Sequence, residues 1–492
     1  MAIRPRSTPL SYLQKAGVTI LAAFLLALLL VPAPSRAQSS GSTKWLATFS
    51  GSGNGGETQP LAIAADPQGN VYVTGWDQVS TNYCPPPTSC TQAVTIKYDP
   101  SGKALWKDWL TSSGVAQGRD IAVDSAGNAY VLFNFTRQGA HPIGSEPDVP
   151  EVVTAKYNPA GGRDWINFIN SSPDGTVQRM PVGMAVSPAG NVYVTYQENG
   201  THTETIVTIK YDTAGHTIWS QTISDEAGAN PGATAGAIGI DANENVYVPV
   251  HLTSTVGSPG NLSTVNDGEI VKYDSNGVRL ASIGRGQITG ANGFHVDPDG
   301  ACYLNTGSIA TTDFVVAKFN PDQTLAYTVD ITKLEGIGGP FGPPFGPDSI
   351  IEQIASDSAG NAFVLQRFDQ TGPHADGDVA SVLKLDPSGH ELFVTRYNQN
   401  SDQSGRDNPV ALAVAPSGDF YLAVSGQPED PSANSEFITI KYNNAGVRQW
   451  LAQHTSPSQD GVPKAMSLSV GNLVVTGWIL NSEDWSTIAY VP

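Results

Sequence analysis

One unit of sequence recurs eight times along this chain, and that recurrence limits the fold more than any other feature. The first half of the unit reads LAIAADPQGNVYVTG from Leu61, DIAVDSAGNAYVLFN from Asp120, GMAVSPAGNVYVTYQ from Gly183 and AIGIDANENVYVPVH from Ala237. It continues with GFHVDPDGACYLNTG from Gly293, QIASDSAGNAFVLQR from Gln353, ALAVAPSGDFYLAVS from Ala411 and a shortened AMSLSVGNLVVTGW from Ala465. The second half, typified by VTIKYDPSGKALWKDW, follows each of the first seven copies, and the eighth stops at STIAYVP. Each half has the chemistry of a β-hairpin. Short runs of Val, Ile, Tyr and Thr flank an Asp-x-x-Gly or Asn-x-x-Gly turn. In the first strand, large residues such as Ile63, Ile121 and Met184 alternate with a small column, Ala64, Ala122, Ala185, Gly239, Ala355, Ala413 and Ser467. That alternation suits a strand packed on both faces in a crowded centre.

Four strands per copy, repeated radially, predict an all-β fold: a single β-propeller of eight four-stranded blades. Closure is legible in the aromatic column of the fourth strand, Trp106, Trp165, Trp219, Tyr327, Phe393 and Trp450. The fourth copy has Ala281 at that place, and the eighth ends near Tyr490 without a fourth strand. An orphan fourth strand, KWLATFSG, stands at the other end of the chain with Trp45 in the aromatic column. The expectation is that this N-terminal strand completes the last blade, brings Trp45 to Tyr490 and hides a sheet edge. Residues 38–492 are then one domain.

The GNVYVTG and KYDPSG elements resemble the bacterial repeats called seven-bladed β-propeller (SBBP) repeats, and the IAVD-x-x-GN-x-YV half resembles NHL-type repeats. The resemblance covers essentially the whole chain after residue 37. It implies an exported or surface propeller and carries little about activity. The Asp-x-x-Gly-x-x-x-Trp hairpin is also similar to the tryptophan-docking repeats of eight-bladed quinoprotein dehydrogenases, which bind pyrroloquinoline quinone. Those enzymes show an adjacent cysteine pair, and this chain has none.

Residues 1–37 read as a signal peptide: Arg4, Arg6 and Lys15, then the apolar run Gly17–Val31, then Ser35-Arg36-Ala37. The run is short for a membrane span, so no span is expected after cleavage, although an uncleaved anchor is the alternative. Removing this segment takes away four basic residues and no acid, moving the formal charge from −19 to −23. Such acidity disfavours nucleic acid as a partner. In an exported chain, Cys84 and Cys90 around a Pro-rich loop predict a local disulfide, and Cys302 reads as a buried small hydrophobe.

Strand direction alternates within a blade, so the tight turns 1–2 and 3–4 share one face and connections 2–3 and 4–1 share the other. The long variable stretches all fall in the second class. Loops on a rigid scaffold carry binding residues, which makes this face the predicted contact surface, with Trp76, Tyr83, Phe341, Phe345 and Trp478 as aromatic candidates. His374, Asp376 and Asp378 read as an exposed polar loop there, with part of a metal site as the alternative. The bland alternative is that these loops only cap the fold. Lys97, Lys156, Lys210, Lys272, Lys318, Lys384 and Lys441 form a ring at the end of strand 3, with Ala489 in the eighth place. Each is expected to pair with the Asp that ends strand 1. His295, in the small column, reads as a satisfied interior histidine, with a channel acid or base as the alternative. No serine elbow, phosphate loop or zinc-protease pattern occurs, and no catalytic, cofactor-binding or metal residue is named. The reading is an exported, secreted or periplasmic monomer that binds a surface protein or polysaccharide. Its alternatives are a quinoprotein-like dehydrogenase and a purely structural envelope component.

Overall fold

The tight turns explain why this sequence breaks into short strands at regular intervals. At the first of them, Asp66 N–H donates to Asn70 O (3.0 Å) and Gly69 N–H to Asp66 O (2.9 Å). The Asp66 carboxylate accepts the backbone N–H groups of Gln68 and Asn70, which locks the reversal. Gly69 has a φ of +83°, the left-handed conformation such a turn demands. Variants of this arrangement close the other tight turns.

The computed structural model describes residues 41–51, 56–79, 90–112, 114–137, 149–201, 203–224, 229–258, 261–288, 292–306, 315–331, 334, 350–369, 378–397, 406–427, 435–454, 461–469, 471–479 and 484–492. The predicted N-terminal targeting segment lies outside them. Eight antiparallel sheets follow one another, one per sequence copy. Blade 1 comprises Thr58–Ala65, Val71–Val79, Cys90–Tyr98 and Ala104–Leu110. Blade 2 comprises Ala116–Val123, Ala129–Arg137, Val149–Tyr157 and Arg163–Ile169, and blade 3 Gln178–Val186, Val192–Asn199, Glu204–Tyr211 and Thr217–Ile223. In blade 4 the first strand comes in two pieces, Ala229–Ala235 and Gly239–Ile240, before Val246–Ser258, Asn261–Tyr273 and Arg279–Ile288. Blade 5 comprises Asn292–Val296, Cys302–Asn305, Val315–Phe319 and Leu325–Asp330. Blade 6 has Ile350–Ser356, Ala362–Asp369, Asp378–Leu385 and Glu391–Tyr397, and blade 7 Arg406–Val414, Phe420–Gln427, Glu436–Tyr442 and Arg448–His454.

Blade 8 has Gly461–Ser469, Asn472–Ile479 and Asp484–Tyr490 from the C-terminus, and Thr43–Phe49 from the N-terminus as its outer strand. Thr43 pairs with Tyr490, Trp45 with Ala489 and Phe49 with Trp485. Gly41 N–H donates to Val491 O (3.1 Å), and the Lys44 ammonium to Asn472 Oδ1 (2.6 Å). The first strands touch their neighbours all the way round, and that of blade 8 touches that of blade 1. The fold is therefore a closed eight-bladed β-propeller, with first strands innermost.

Eight hydrophobic clusters fill the molecule, and each straddles one seam between neighbouring blades. A single sheet has two apolar faces and cannot bury either alone, so each blade depends on both neighbours. The seam between blades 8 and 1 is built partly by the N-terminal strand: Trp45 and Phe49 pack with Val71, Val73, Tyr98 and Trp485. Cys302 is a buried free thiol in the seam between blades 4 and 5, and burial pushes its pKa up to about 12. Cys90 is disulfide-bonded, while Cys84 lies outside the described residues.

Candidate functional site

The two faces of the propeller are built from different chemistry, and the turn face is dominated by bonds between blades. Strand 2 places an aromatic residue, Tyr72, Tyr130, Tyr193, Tyr247, Tyr303, Phe363 or Tyr421, opposite the strand-3 lysine in the ladder. Each lysine ammonium lies over that ring, at 4.9 Å for Lys97, 5.6 Å for Lys156, 5.1 Å for Lys210 and 4.8 Å for Lys272. The distances are 5.0 Å for Lys318, 4.7 Å for Lys384 and 5.5 Å for Lys441. Blade 8 lacks the cation and the ring together: Ala489 faces Val474.

The partners of these lysines differ from the expectation. Among the described residues only Lys384 forms an ion pair with the Asp that ends its own strand 1, Asp357 (3.4 Å). Elsewhere the strand-2 tyrosine takes that carboxylate, as Tyr72 does with Asp66 (3.1 Å) and Tyr130 with Asp124 (3.0 Å). The lysine instead reaches the next blade: Lys97 donates to Pro159 O (3.1 Å), Lys156 to Thr213 O (3.1 Å), Lys210 to Ser275 O (2.9 Å) and Lys318 to Gly360 O (3.2 Å). Burial, more than the opposing pull of Asp66, holds the Lys97 ammonium below its ordinary pKa. With Lys384, which donates to Asn444 O (3.4 Å), five of the seven cations staple neighbouring blades, while Lys441 pairs with Asp419 of its own blade (3.3 Å).

The aromatic column of strand 4 has the same task. Trp45 Nε1 donates to Pro100 O (3.1 Å), Trp106 to Pro159 O (3.3 Å), Trp165 to Thr213 O (3.2 Å) and Trp219 to Ser275 O (3.1 Å). Each indole lies on the glycine of the next blade's turn. A Cβ on Gly102 would come within 2.6 Å of the Trp45 ring, and Gly102 has a φ of +86°, so close approach and backbone both require glycine there.

One departure on this face was not legible as a site. Ser187 ends strand 1 of blade 3 where most blades have Asp, so no carboxylate comes from within that blade. Glu244, in the turn of blade 4, supplies it. Its Oε2 accepts from Tyr193 OH (2.7 Å), Asn191 Nδ2 (2.9 Å) and Lys210 Nζ (3.3 Å). To do so Glu244 occupies the usual glycine position with a φ of +59°.

His295 is also on the inner strands toward this face. Its Nε2 lies 2.9 Å from Ser356 Oγ and 3.2 Å from Asp297 Oδ1, and Ser356 Oγ itself donates to Asp297 Oδ1. Burial pushes the Asp297 carboxyl up, but the hydrogen bonds from His295 and Ser356 and the His295 charge outweigh it, and the net displacement is downward. A proton relay through imidazole needs one ring nitrogen for serine and the other for the carboxylate. Here one nitrogen serves both, so the geometry is not that of a relay; the ring, 32% exposed, is anchored through Nε2 alone.

The opposite face receives the strand 2–3 and 4–1 connections. Trp76 is partly exposed near the loop end of blade 1, between Gln59 and Ala93 in the ladder. Trp478 holds the corresponding end of blade 8, cross-strand from Val462 and Trp485, with the Lys464 ammonium 5.9 Å above its ring. The two do not share a seam. The alternation of strand 2 turns Trp76 toward blade 2, with Tyr72, and Trp478 toward blade 1, with Val474. Asp378 begins the third strand of blade 6, paired with Asp369. Tyr83, Phe341, Phe345, His374 and Asp376 lie outside the described residues. Salt bridges cover much of the remaining charge toward this face: Arg179–Glu198 (2.7 Å), Arg285–Asp267 (2.8 Å) and Arg367–Glu352 (3.9 Å).

Sequence reasoning missed the register shift in strand 1. In blades 1, 2, 3, 6, 7 and 8 one residue slips out of the ladder: Leu61, Arg119, Val182, Glu352, Val410 and Lys464. Three of the six are charged, and they stand on the innermost strands. Arg119 is exposed. Desolvation pushes the Glu352 carboxyl up more than Arg367 pulls it down. The residues that follow in blades 2 and 6 tie inner strands together: Asp120 accepts from Met184 N–H (3.2 Å), and Gln353 exchanges two hydrogen bonds with the Leu412 backbone. Among the described residues no group of three His, Cys, Asp or Glu side chains is arranged to hold a metal, and no helix is long and apolar enough to cross a membrane.

No protein-family model matches the chain, and no curated protein matches it in sequence. The likeness to SBBP and NHL repeats thus remains one of motifs. Similar solved structures include a polysaccharide lyase described as a PL25 ulvan lyase, at 10% identity and a TM-score of 0.42, covering 88% of this chain and 94% of the lyase. Another is the WD40 domain of SCAP from fission yeast, at 8% identity and a TM-score of 0.43, covering 91% and 94%. A third is dipeptidyl peptidase 4 of Porphyromonas gingivalis, at 9% identity and a TM-score of 0.42, covering 83% and 56%.

Proposed function

We propose that this protein is an exported binding module that engages a surface protein or polysaccharide through the loop-bearing face. The observation that carries the reading is the division of labour between faces. On the turn face, five of the seven lysines and four tryptophan donors bond to the neighbouring blade, which leaves that surface largely self-satisfied. The loop-bearing face holds the partly exposed indoles of Trp76 and Trp478 and the cationic inner positions Arg119 and Lys464. A partly exposed indole with a cation over it, as at Trp478 and Lys464, suits recognition of apolar surfaces. The strong negative charge of the chain argues for a neutral or basic partner over a polyanion.

The test is a glycan array together with a pull-down from envelope extract, using the domain from residue 38. The double variant Trp76→Ala/Trp478→Ala is expected to weaken retention at least tenfold, with an unchanged β-sheet circular dichroism spectrum. A turn-face variant, Leu105→Ala, serves as the control and is expected to bind like wild type. Equal retention by all three proteins, or no specific ligand at all, leaves a purely structural role and removes the proposal.

A further inference from the structure

We infer that the seam between blades 5 and 6 contains an internal hydration site, held by Asn305, Gln366 and Ser381 and occupied by ordered water. Gln366 is 1% exposed and Ser381 fully buried, and Asn305 is 9% exposed at the end of its strand. Asn305 Oδ1, both amide atoms of Gln366 and Ser381 Oγ meet no hydrogen-bond partner in the protein. Burying such groups unbonded is costly, so native proteins pair them with protein or with water.

These three residues share one seam. Tyr303, Val316, Ile351, Val364, Val379 and Leu383 form the cluster between blades 5 and 6. Asn305 follows Tyr303 by two residues and lies cross-strand from Val316. Gln366 follows Val364 by two and lies cross-strand from Ile351 and Ser381. Ser381 lies two residues from both Val379 and Leu383. Alternation therefore turns all three onto the apolar faces that meet in this seam. Together they offer an amide donor, amide acceptors and a hydroxyl. That set suits a small neutral molecule that both donates and accepts, and the burial of Gln366 and Ser381 restricts it to water.

A second observation in the same seam comes from the aromatic column of strand 4. The seams from blade 8 through blade 4 each carry a tryptophan Nε1 bond to the next blade. Blade 5 has Tyr327 in that column, and its hydroxyl meets no partner.

A crystal structure resolving ordered solvent tests the site directly. A water within hydrogen-bond distance of at least two of Asn305 Oδ1, the Gln366 amide and Ser381 Oγ is the expected result. The three side chains bonding one another in a dry seam would overturn it. Thermal melts of Gln366→Leu/Ser381→Ala and of Ser381→Ala alone give a second reading. Bridging water predicts that both melt lower than wild type, the double variant by several degrees. A double variant that melts higher indicates unpaired groups in a dry seam and rejects the site.

Discussion

Removing residues 41–51 is expected to open the propeller. Trp45 and Phe49 are buried in the seam between blades 8 and 1, and Trp485, which is fully buried, loses the edge-to-face contact with Phe49 at 5.4 Å. Truncating one large buried aromatic costs about 3–5 kcal/mol, and total stability is of order 5–15 kcal/mol. Losing two aromatics and a whole ladder therefore exceeds what the fold tolerates. The strand Asp484–Tyr490 becomes a free sheet edge, which invites self-association. Thermal melting should fall by well over about 10 °C, and size-exclusion chromatography should show oligomers. Adding a peptide of residues 41–51 in trans is expected to restore part of the loss. A truncated protein that melts like the full chain would mean that the other seven blades hold the ring alone.

Glu244→Gly is expected to lower stability even though it relieves the backbone. A left-handed residue other than glycine costs roughly 1–2 kcal/mol, so glycine gains that amount. Against it, Tyr193 OH and the Asn191 amide lose their acceptor, at about 1–3 kcal/mol for each orphaned group, and Lys210 loses its ion pair while keeping its bond to Ser275 O. The loss wins, by roughly 2–4 kcal/mol. Ser187→Asp in the same chain restores the carboxylate from its usual place, and the double variant should recover wild-type stability or exceed it. This cycle separates a lost acceptor from a damaged turn. A double variant no better than Glu244→Gly would show that the turn, and not the carboxylate, matters.

The pH dependence has the same origin. Burial pushes the Glu244 carboxyl up, but the hydrogen bonds from Tyr193, Ser187 and Asn191 and the Lys210 charge leave it below its ordinary value of 4.5. The contribution is thus present above that value and lost as pH falls through the lower, folded-state pKa.

Blade type, blade number and ring closure were all legible, because each follows from local pattern. Asp-x-x-Gly turns mark the hairpins, alternation marks the faces, and an unmatched Trp45 strand at one end answers an unmatched copy at the other. The lysine ring was legible as structural, but its partners were not. Which carboxylate or carbonyl an ammonium reaches depends on the stacking of the next blade, and a single repeat does not encode that. Glu244 looks like an ordinary turn variant until blade 4 is set against Ser187 of blade 3. Asn305, Gln366 and Ser381 look like ordinary strand positions, because only the seam shows that they are enclosed together. Trp76, read from the sequence as the start of a variable stretch, stands instead inside the second strand of blade 1, as Trp478 does in blade 8. That they point into different seams required the sheet faces. The charged inner positions Arg119, Glu352 and Lys464 depend on a register shift that leaves no mark in hydrophobic alternation.

Native-state hydrogen exchange on the strand Thr43–Phe49 probes ring closure most directly. If this strand is the fourth member of blade 8, its amides should exchange as slowly as those of the central strand Asn472–Ile479, and both should open together. Rapid exchange of Thr43–Phe49, at the rate of a free chain end, beside a protected Asn472–Ile479 would contradict the closed ring.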